Sequence, residues 1–138
     1  MTDIVITSAK RTAIGKFLGS LSGLSAIDLG KIVLNAVVDD SMIDKGMIDE
    51  VIMGQVLTGG NGQNPARQAL LAAGIPNEKS AVTVNQVCGS GLRAISMAAQ
   101  SIISNQSDVV IAGGQESMSN AHHTICLLYT SDAADEED

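Results

Sequence analysis

One cysteine in this chain stands where a nucleophile could act. Cys88 follows an apolar run that ends at Val87, and Gly89-Ser90-Gly91 comes directly after it. A helical pattern begins at Leu92, so the thiol is predicted to lie between a strand and the amino end of a helix. Backbone N–H groups and the helix dipole favour a thiolate there, and the glycines leave room for a substrate carbonyl. These features predict a nucleophile that accepts an acyl group.

A purely structural cysteine is the alternative interpretation. Free cysteines are among the most buried residue types and often only fill space in a core. The glycines beside Cys88 argue against packing as its sole role, because they add backbone freedom and no side-chain contacts. Val87 and Leu92 could supply local packing without a thiol. The pattern therefore favours the nucleophile.

The elements around this cysteine are predicted to alternate between strands and helices. The predicted strands span 3–9, 50–57, 81–87 and 108–112, and the predicted helices span 26–43, 65–73 and 92–104. Ser25 and Asp28 resemble a capping box, and Asn64-Pro65 combines an N-cap with a proline at the first helical position. This βαβαβαβ order predicts an α/β fold with a mostly parallel sheet. Chemistry in such sheets gathers at the carboxyl ends of strands, where Cys88 is placed.

Apolar spacing predicts which faces of two helices are buried. The first helix is expected to bury a stripe made of Leu29, Val33, Ala36 and Val37. The helix after Cys88 is expected to turn inward Leu92, Ile95, Ala99, Ile102 and Ile103. That second helix is apolar around much of its circumference, so it is expected to be buried from several directions.

Composition excludes several classes of function. A chain of 138 residues fits one compact domain. The net charge of −7 comes largely from an acidic end at 132–138, and the remaining charges nearly balance. With no basic stripe, one Phe, one Tyr and no Trp, no nucleic-acid partner is expected. Two cysteines without metal or disulfide spacing, and no apolar run of membrane-spanning length, favour a cytoplasmic protein with no metal and no membrane partner.

Five segments together carry a family resemblance. They occur in the order SAKRTAIGKF (8–17), VIMGQVL (51–57), GQNPARQ (62–68), NQVCGSGL (85–92) and AGGQESMS (112–119). Over residues 1–121 the chain closely resembles the N-terminal part of thiolases of the acetyl-CoA C-acetyltransferase (acetoacetyl-CoA thiolase) type. Each segment alone is weakly specific, but five in this order are highly specific.

The resemblance implies a fold, an activity and partners. It implies a thiolase-like sheet and makes Cys88 the acyl-accepting nucleophile. It implies thiolysis of acetoacetyl-CoA, or Claisen condensation of two acetyl-CoA, through an acetyl-Cys88 intermediate. Acetyl-CoA, acetoacetyl-CoA and CoA then act as substrates with no resident cofactor, in a homodimer or tetramer. A longer-chain 3-ketoacyl-CoA thiolase and a non-catalytic thiolase-like binding protein remain the alternatives.

The chain also departs from the thiolase pattern. The later family motifs that contain an asparagine, a histidine and a second cysteine do not occur in it. His122 and His123 are predicted to be exposed loop residues and not the activating base. Residues 122–138 are predicted to be a non-homologous tail, interpreted as read-through sequence, with a natural acidic tail as the alternative; Cys126 then has no function. The 138-residue chain by itself is expected to be inactive and poorly soluble.

Overall fold

A computed structural model describes residues 3–126 of the chain. Within this range six regular elements alternate: α1 (Ala26–Ser41), β1 (Glu50–Gly54), α2 (Pro65–Ala72), β2 (Ser80–Val84), α3 (Ser90–Ile103) and β3 (Val110–Gly114). Single 3₁₀ turns occupy Lys45–Met47 and Met118–Asn120. No helix of the described range is long and apolar enough to cross a membrane.

The three strands form one parallel sheet in the order β2-β1-β3. Helices α1 and α2 cover one face, where Val51 and Met53 join their core, and α3 covers the other, where Ile52 meets Ala94. The central strand β1 is thus buried on both faces, which explains its apolar sequence from Val51 to Met53. The prediction of an α/β fold with a mostly parallel sheet is confirmed.

The helix starts follow the predicted capping chemistry. The Asp28 amide N–H donates to Ser25 Oγ at 3.1 Å, and the Ser25 N–H donates to Asp28 Oδ2 at 2.9 Å, which completes the capping box of α1. The Asn64 side chain caps α2 by accepting from the Arg67 N–H at 3.2 Å. Gly74, with φ of +73°, directly follows the C-cap residue Ala73 of that helix.

The strand predicted at 3–9 is wrong for this structure. The segment has no strand partner within the described residues, and Val5 and Ile6 are 75% and 80% exposed. Its Ser8 Oγ donates to Asp40 near the end of α1 at 2.7 Å, and Lys10, just after the segment, pairs with the same carboxylate at 2.6 Å. β-branched residues favour an extended backbone, but a strand also requires a neighbour to hydrogen-bond with.

The other predicted strands have shifted ends. β1 and β2 each stop three residues before the predicted position, and β3 begins and ends two residues later. At these places the backbone leaves the ladder to bond with side chains. The Val56 N–H donates to Glu116, for example, and the Val87 N–H donates to Asn85. Apolar runs predict where a strand lies but not where side chains end its pairing.

The predicted buried faces are also corrected. In α1 the buried stripe consists of Ala26, Gly30, Leu34 and Val38, one residue away from the prediction, and the predicted residues are only half-buried. In α3 the buried residues are Ser90, Ala94 and Ala98, while Leu92, Ile95 and Ile103 are exposed. Small residues face the sheet because they let α3 lie close to it. The positions of the largest apolar residues therefore do not predict which face of α3 is buried.

A carboxylate joins the amino ends of β1 and β3. Asp49 Oδ2 accepts from the Asp108 N–H at 2.8 Å and from the Val109 N–H at 3.0 Å. These hydrogen bonds, the one from Val109 first, hold the pKa of Asp49 below its usual value of 3.8. Because the pKa of Asp49 is lower in the folded state, its hydrogen bonds stabilise the fold fully at pH values above the pKa of Asp49 in the unfolded chain. This stabilisation is lost as the pH falls through the folded pKa.

The contact between β1 and α3 demands a glycine. A Cβ atom at Gly54 would lie 2.6 Å from both the carbonyl carbon and the Cβ of Ser90, at the first turn of α3. Neither is the end of a flexible side chain, so the helix would have to move away. The missing side chain at Gly54 therefore determines how closely the amino end of α3 approaches the sheet.

Gly54→Ala should lower the free energy of unfolding by roughly 2 kcal/mol, because overpacking forces the backbone to shift. Gly23→Ala is the matched control, since a Cβ at Gly23 would meet nothing within 4 Å. It should change stability by less than about 0.5 kcal/mol. Urea unfolding of dilute protein, followed by circular dichroism, measures both. Equal stability of the two variants would contradict the close contact.

Candidate active site

The structure places Cys88 in the turn that links β2 to α3, two residues before the helix begins. Its side chain is exposed and carries a free thiol. Gly89 is the N-cap and supplies no side-chain hydrogen bond to the helix, and the first turn of α3 contains no acidic residue. The positive end of the helix dipole is therefore not neutralised locally by a carboxylate of that turn. The predicted strand-to-helix position of the thiol is confirmed.

The residue before the cysteine has a strained backbone. Val87 has φ of +50°, in the left-handed region that β-branched residues rarely adopt. Such a conformation costs on the order of 1–3 kcal/mol and persists only where neighbouring groups enforce it. Here Asn85 Oδ1 accepts from the Val87 N–H at 2.9 Å, and the Val87 carbonyl accepts from Ser90 Oγ at 2.6 Å. Both polar groups of the Val87 backbone are thus held.

Ser90 ties the turn to the helix from inside. It is 4% exposed, and its Oγ accepts from the Gln86 N–H at 2.8 Å while donating to the Val87 carbonyl. The backbone closes the same turn, since the Gly89 N–H donates to the Gln86 carbonyl at 3.0 Å. One hydroxyl group therefore satisfies two backbone groups immediately before Cys88.

Two glutamines and a glutamate hold together the segments that leave β1 and β3. Gln55 and Gln115 are buried directly after β1 and β3, and Gln115 Nε2 donates to Gln55 Oε1 at 2.9 Å. Glu116 accepts from the N–H groups of Val56 and Leu57 at 2.8 and 3.2 Å. A buried amide without a hydrogen-bond partner raises the free energy of the folded state, which favours the pairing of these two side chains. These contacts order the loop that lies next to Asn85.

Gln115 explains a glycine in the middle of α1. Its Oε1 atom is buried without a hydrogen-bond partner, and it lies where a Cβ at Gly30 would be. A Cβ at Gly30 would therefore displace the end of this glutamine side chain, and it would also lie 3.1 Å from the Cβ of Ala69. The close approach lets α1 pack beside the segment that follows β3.

A shallow pocket of about 390 Å³ opens beside the carboxyl end of β2. Its lining includes Thr58, Asn64, Val82, Thr83 and Asn85. Asn85 belongs both to this pocket and to the Cys88 turn, but Cys88 does not line the pocket. The described residues thus present the thiol on an open surface and not inside a cleft.

The two histidines lie in the segment after the second 3₁₀ turn. Both are exposed, as predicted, and the His122 ring packs against Gly60, whose φ is +74°. Cys126 is exposed, and residues 127–138 of the predicted tail lie outside the described part of the chain. Between residues 3 and 126 no group of three or more His, Cys, Asp or Glu side chains could hold a metal ion.

The sequence pattern predicted Cys88 as the nucleophile but did not indicate the residues that hold its turn. Asn85 carried a usable signal, because asparagine side chains often bond to a backbone N–H two residues later. Ser90 sits at the first helical position, where a serine is unremarkable, and Glu116 lies 28 residues beyond the cysteine. No local pattern connects Glu116 to the turn, so only the fold could reveal it.

Comparison with known proteins identifies the family. Residues 4–133 match the family described as "Thiolase, N-terminal domain". The chain belongs to the thiolase family. The boundary predicted at residue 121 stays a prediction, as does the origin of the residues that follow it.

The relatives of this thiolase chain carry related names. It is 52% identical over 125 residues to the "Acetyl-CoA acetyltransferase" of Cupriavidus necator, covering 91% of this chain and 32% of that protein. It is 54% identical over 123 residues to the protein of the same name from Paracoccus denitrificans, covering 89% of this chain and 32% of the relative. The mitochondrial acetyl-CoA acetyltransferase of Bos taurus is 47% identical over 125 residues, covering 91% and 30%. The chain thus spans about a third of the length of these relatives.

A solved structure agrees with the fold. The Acat5 thiolase of Ascaris suum, crystallised in complex with coenzyme A, superimposes with a TM-score of 0.83 at 43% sequence identity. The match covers 85% of this chain and 31% of that chain. The expected thiolase-like fold is therefore confirmed for this part of the molecule.

Ser90→Ala should lower the free energy of unfolding by roughly 1–2 kcal/mol, because the Gln86 N–H loses its acceptor. Amide exchange at Gln86, followed by NMR, should accelerate in the variant. Ser96→Ala, an exposed change on the same helix, should leave that exchange rate as it was. Unchanged protection of Gln86 in Ser90→Ala would contradict the role of the hydroxyl.

Proposed function

We propose that the protein containing this chain transfers acetyl groups between CoA thioesters, as an acetyl-CoA acetyltransferase, with Cys88 as the nucleophile. The observation that carries the proposal is an exposed thiol in a strained left-handed turn at the amino end of α3. Strained backbone clusters at reactive sites, where the rest of the fold maintains it. The names of relatives near 50% identity support the substrate class, and no observation favours a longer acyl chain or a non-catalytic role.

The proposed chemistry proceeds in two steps. In the thiolysis direction the Cys88 thiolate attacks the 3-keto carbon of acetoacetyl-CoA, and the bond between carbons 2 and 3 breaks. The departing acetyl-CoA carbanion takes up a proton, and the acetyl group remains on Cys88 as a thioester. A CoA thiol then loses its proton and attacks that thioester, which releases a second acetyl-CoA and restores the cysteine. Condensation is the same sequence reversed.

The elements described above would contribute to the first step of this chemistry. The sulfur lies beside the amino end of α3, where the backbone N–H groups of the first turn carry partial positive charge. The glycine N-cap next to the sulfur adds no side chain to obstruct the incoming carbonyl. His122 and His123 are not assigned as bases. We propose that the proton transfers use residues outside this chain, so that the 138-residue chain alone is inactive in both directions.

Coenzyme A would enter as a substrate and not as a resident cofactor. The presence of coenzyme A in the Ascaris relative supports this part of the proposal. Acetyl-CoA, acetoacetyl-CoA and free CoA are then the small-molecule partners. We place the reaction in the cytoplasm, on the sequence argument for a reducing compartment.

Cys88→Ser, made in the longest protein that carries this segment, should reduce thiolysis of acetoacetyl-CoA by several orders of magnitude. A serine hydroxyl is a far weaker nucleophile at neutral pH. Release of acetyl-CoA in the presence of CoA measures the rate, and the Ser96→Ala protein serves as the active control. The separate 138-residue chain should show no turnover. Near-normal turnover by a folded Cys88→Ser protein would disprove the assignment.

We also propose that the protein is a homo-oligomer, either a dimer or a tetramer. The outer strands β2 and β3 each have only one strand neighbour among the described residues. A free edge leaves unpaired N–H and C=O groups that another chain can bind. Exposed apolar residues on α3, among them Leu92 and Ile103, add a surface of the kind that association buries.

Light scattering coupled to size-exclusion chromatography tests the assembly. The longest protein that carries this segment should elute at two or four times its monomer mass, because oligomerisation covers the free edges. A dilution series through the micromolar range separates a stable oligomer from reversible aggregation. A monomer at every concentration would refute the proposal.

A further inference from the structure

Glu116 occupies a position that links two distant parts of the chain. It follows β3, and its half-buried carboxylate accepts from the backbone N–H groups of Val56 and Leu57, at 2.8 and 3.2 Å. Two backbone donors on one carboxylate form a pair of charge-assisted hydrogen bonds. They fix the loop that leaves β1 against the segment that leaves β3.

The connection continues from this loop to the cysteine turn. The Val56 carbonyl accepts from Asn85 Nδ2 at 3.2 Å. Asn85 Oδ1 in turn accepts from the Val87 N–H at 2.9 Å. The carboxylate of Glu116 is therefore linked by three consecutive contacts to the residue directly before Cys88.

The strained backbone of Val87 depends on this series of hydrogen bonds. Val87 is 64% exposed, so its side chain gains little packing that would hold φ at +50°. Asn85 is also exposed, and its orientation depends on its hydrogen bonds. Without an ordered Val56 carbonyl the Asn85 amide can rotate away, and the left-handed conformation at Val87 loses one of its restraints.

We propose that Glu116 is a positioning residue that keeps the Cys88 sulfur at the amino end of α3. It acts through the loop after β1, through Asn85 and through the backbone of Val87, without contact to the sulfur. This inference rests on the proposed function, in which Cys88 is the nucleophile. It concerns the geometry of the thiol and not the identity of the substrate.

The chain offers a matched control at the other end of the same strands. Asp49 also accepts from two successive backbone N–H groups, at 2.8 and 3.0 Å, and joins the segments that precede β1 and β3. It is half-buried like Glu116. Asp49 lies at the amino ends of the strands, whereas Cys88 follows a carboxyl end. Removing the charge of Asp49 therefore shows how far a general loss of stability alone changes the reactivity of Cys88.

The experiment measures alkylation of Cys88 by iodoacetamide in the 138-residue chain, kept dilute, across a pH series. Peptide mass spectrometry separates Cys88 from Cys126, which serves as the internal reference thiol. Glu116→Gln should slow the reaction of Cys88 by about tenfold, because the sulfur is then no longer held at the positive amino end of α3. Asn85→Ala should slow it similarly, and the two changes together should slow it no further. Asp49→Asn should leave the rate within about twofold of the parent.

A rescue variant distinguishes positioning from stability. Glycine adopts positive φ without strain, so Val87→Gly should restore most of the rate lost in Glu116→Gln. Val87→Gly also removes the backbone strain at this position, so urea unfolding is measured for every variant and alkylation rates are compared between variants of equal stability. The proposal is overturned if Glu116→Gln and Asp49→Asn slow Cys88 equally, if Val87→Gly gives no rescue, or if the Glu116→Gln chain does not fold.

The same data separate this inference from the proposed function. If Cys88 of the parent chain reacts no faster than Cys126, the thiol is not activated by its position and the proposed function loses its support. If Cys88 reacts faster and the Glu116→Gln change has no effect, only the positioning role is refuted.

Discussion

The placement of the reactive turn depends on the contact between the end of β1 and the start of α3. Gly54 has no side chain, and a Cβ there would collide with the backbone of Ser90. The helix can therefore begin directly against the central strand, and Ser90 is buried deeply enough to bond the residues before Cys88. The small residues Ala94 and Ala98 continue the close contact along the helix. The absence of a side chain at Gly54 thus determines how close the Cys88 turn lies to the sheet.

Side-chain carboxylates and amides form hydrogen bonds with backbone groups just beyond the ends of the strands. Parallel strands leave their end groups unpaired once the ladder stops, and those groups need acceptors. Asp49 supplies them where β1 and β3 begin, and Glu116 supplies them where β1 ends. Asn85 extends the second arrangement to the strained Val87. The carboxyl ends of the strands, where the cysteine lies, are therefore ordered by these polar contacts as well as by the packing of α3.

Several apolar surfaces of the described residues face solvent. The segment at 3–9 is extended without a strand partner in this range, and the outer side of α3 exposes Leu92, Ile95 and Ile103. The described elements carry more large apolar side chains than they bury among themselves. The chain spans about a third of the length of its relatives. The open surface around the thiol agrees with this, because Cys88 stands outside the pocket beside β2.

The amino-acid sequence by itself determined the order of the six elements from α1 to β3, the parallel sheet, the helix caps and the position of Cys88 between a strand and a helix. These depend on local chemistry: the capping box at Ser25, proline after Asn64, and a cysteine followed by glycine at a strand-to-helix junction. Family resemblance, carried by five short segments, pointed to the thiolase family that the comparisons then showed.

Only the tertiary structure decided which residues hold the cysteine and which helix faces are buried. Glu116 and Asn85 are 31 positions apart in the sequence, and they meet through the Val56 segment because parallel strands bring their carboxyl ends to one edge. The inward face of α3 is made of small residues since close packing rewards fit over hydrophobicity, which apolar spacing does not register. The segment at 3–9 shows the same limit. Its residues favour extension, but strand formation depends on a hydrogen-bonding neighbour that local sequence cannot specify.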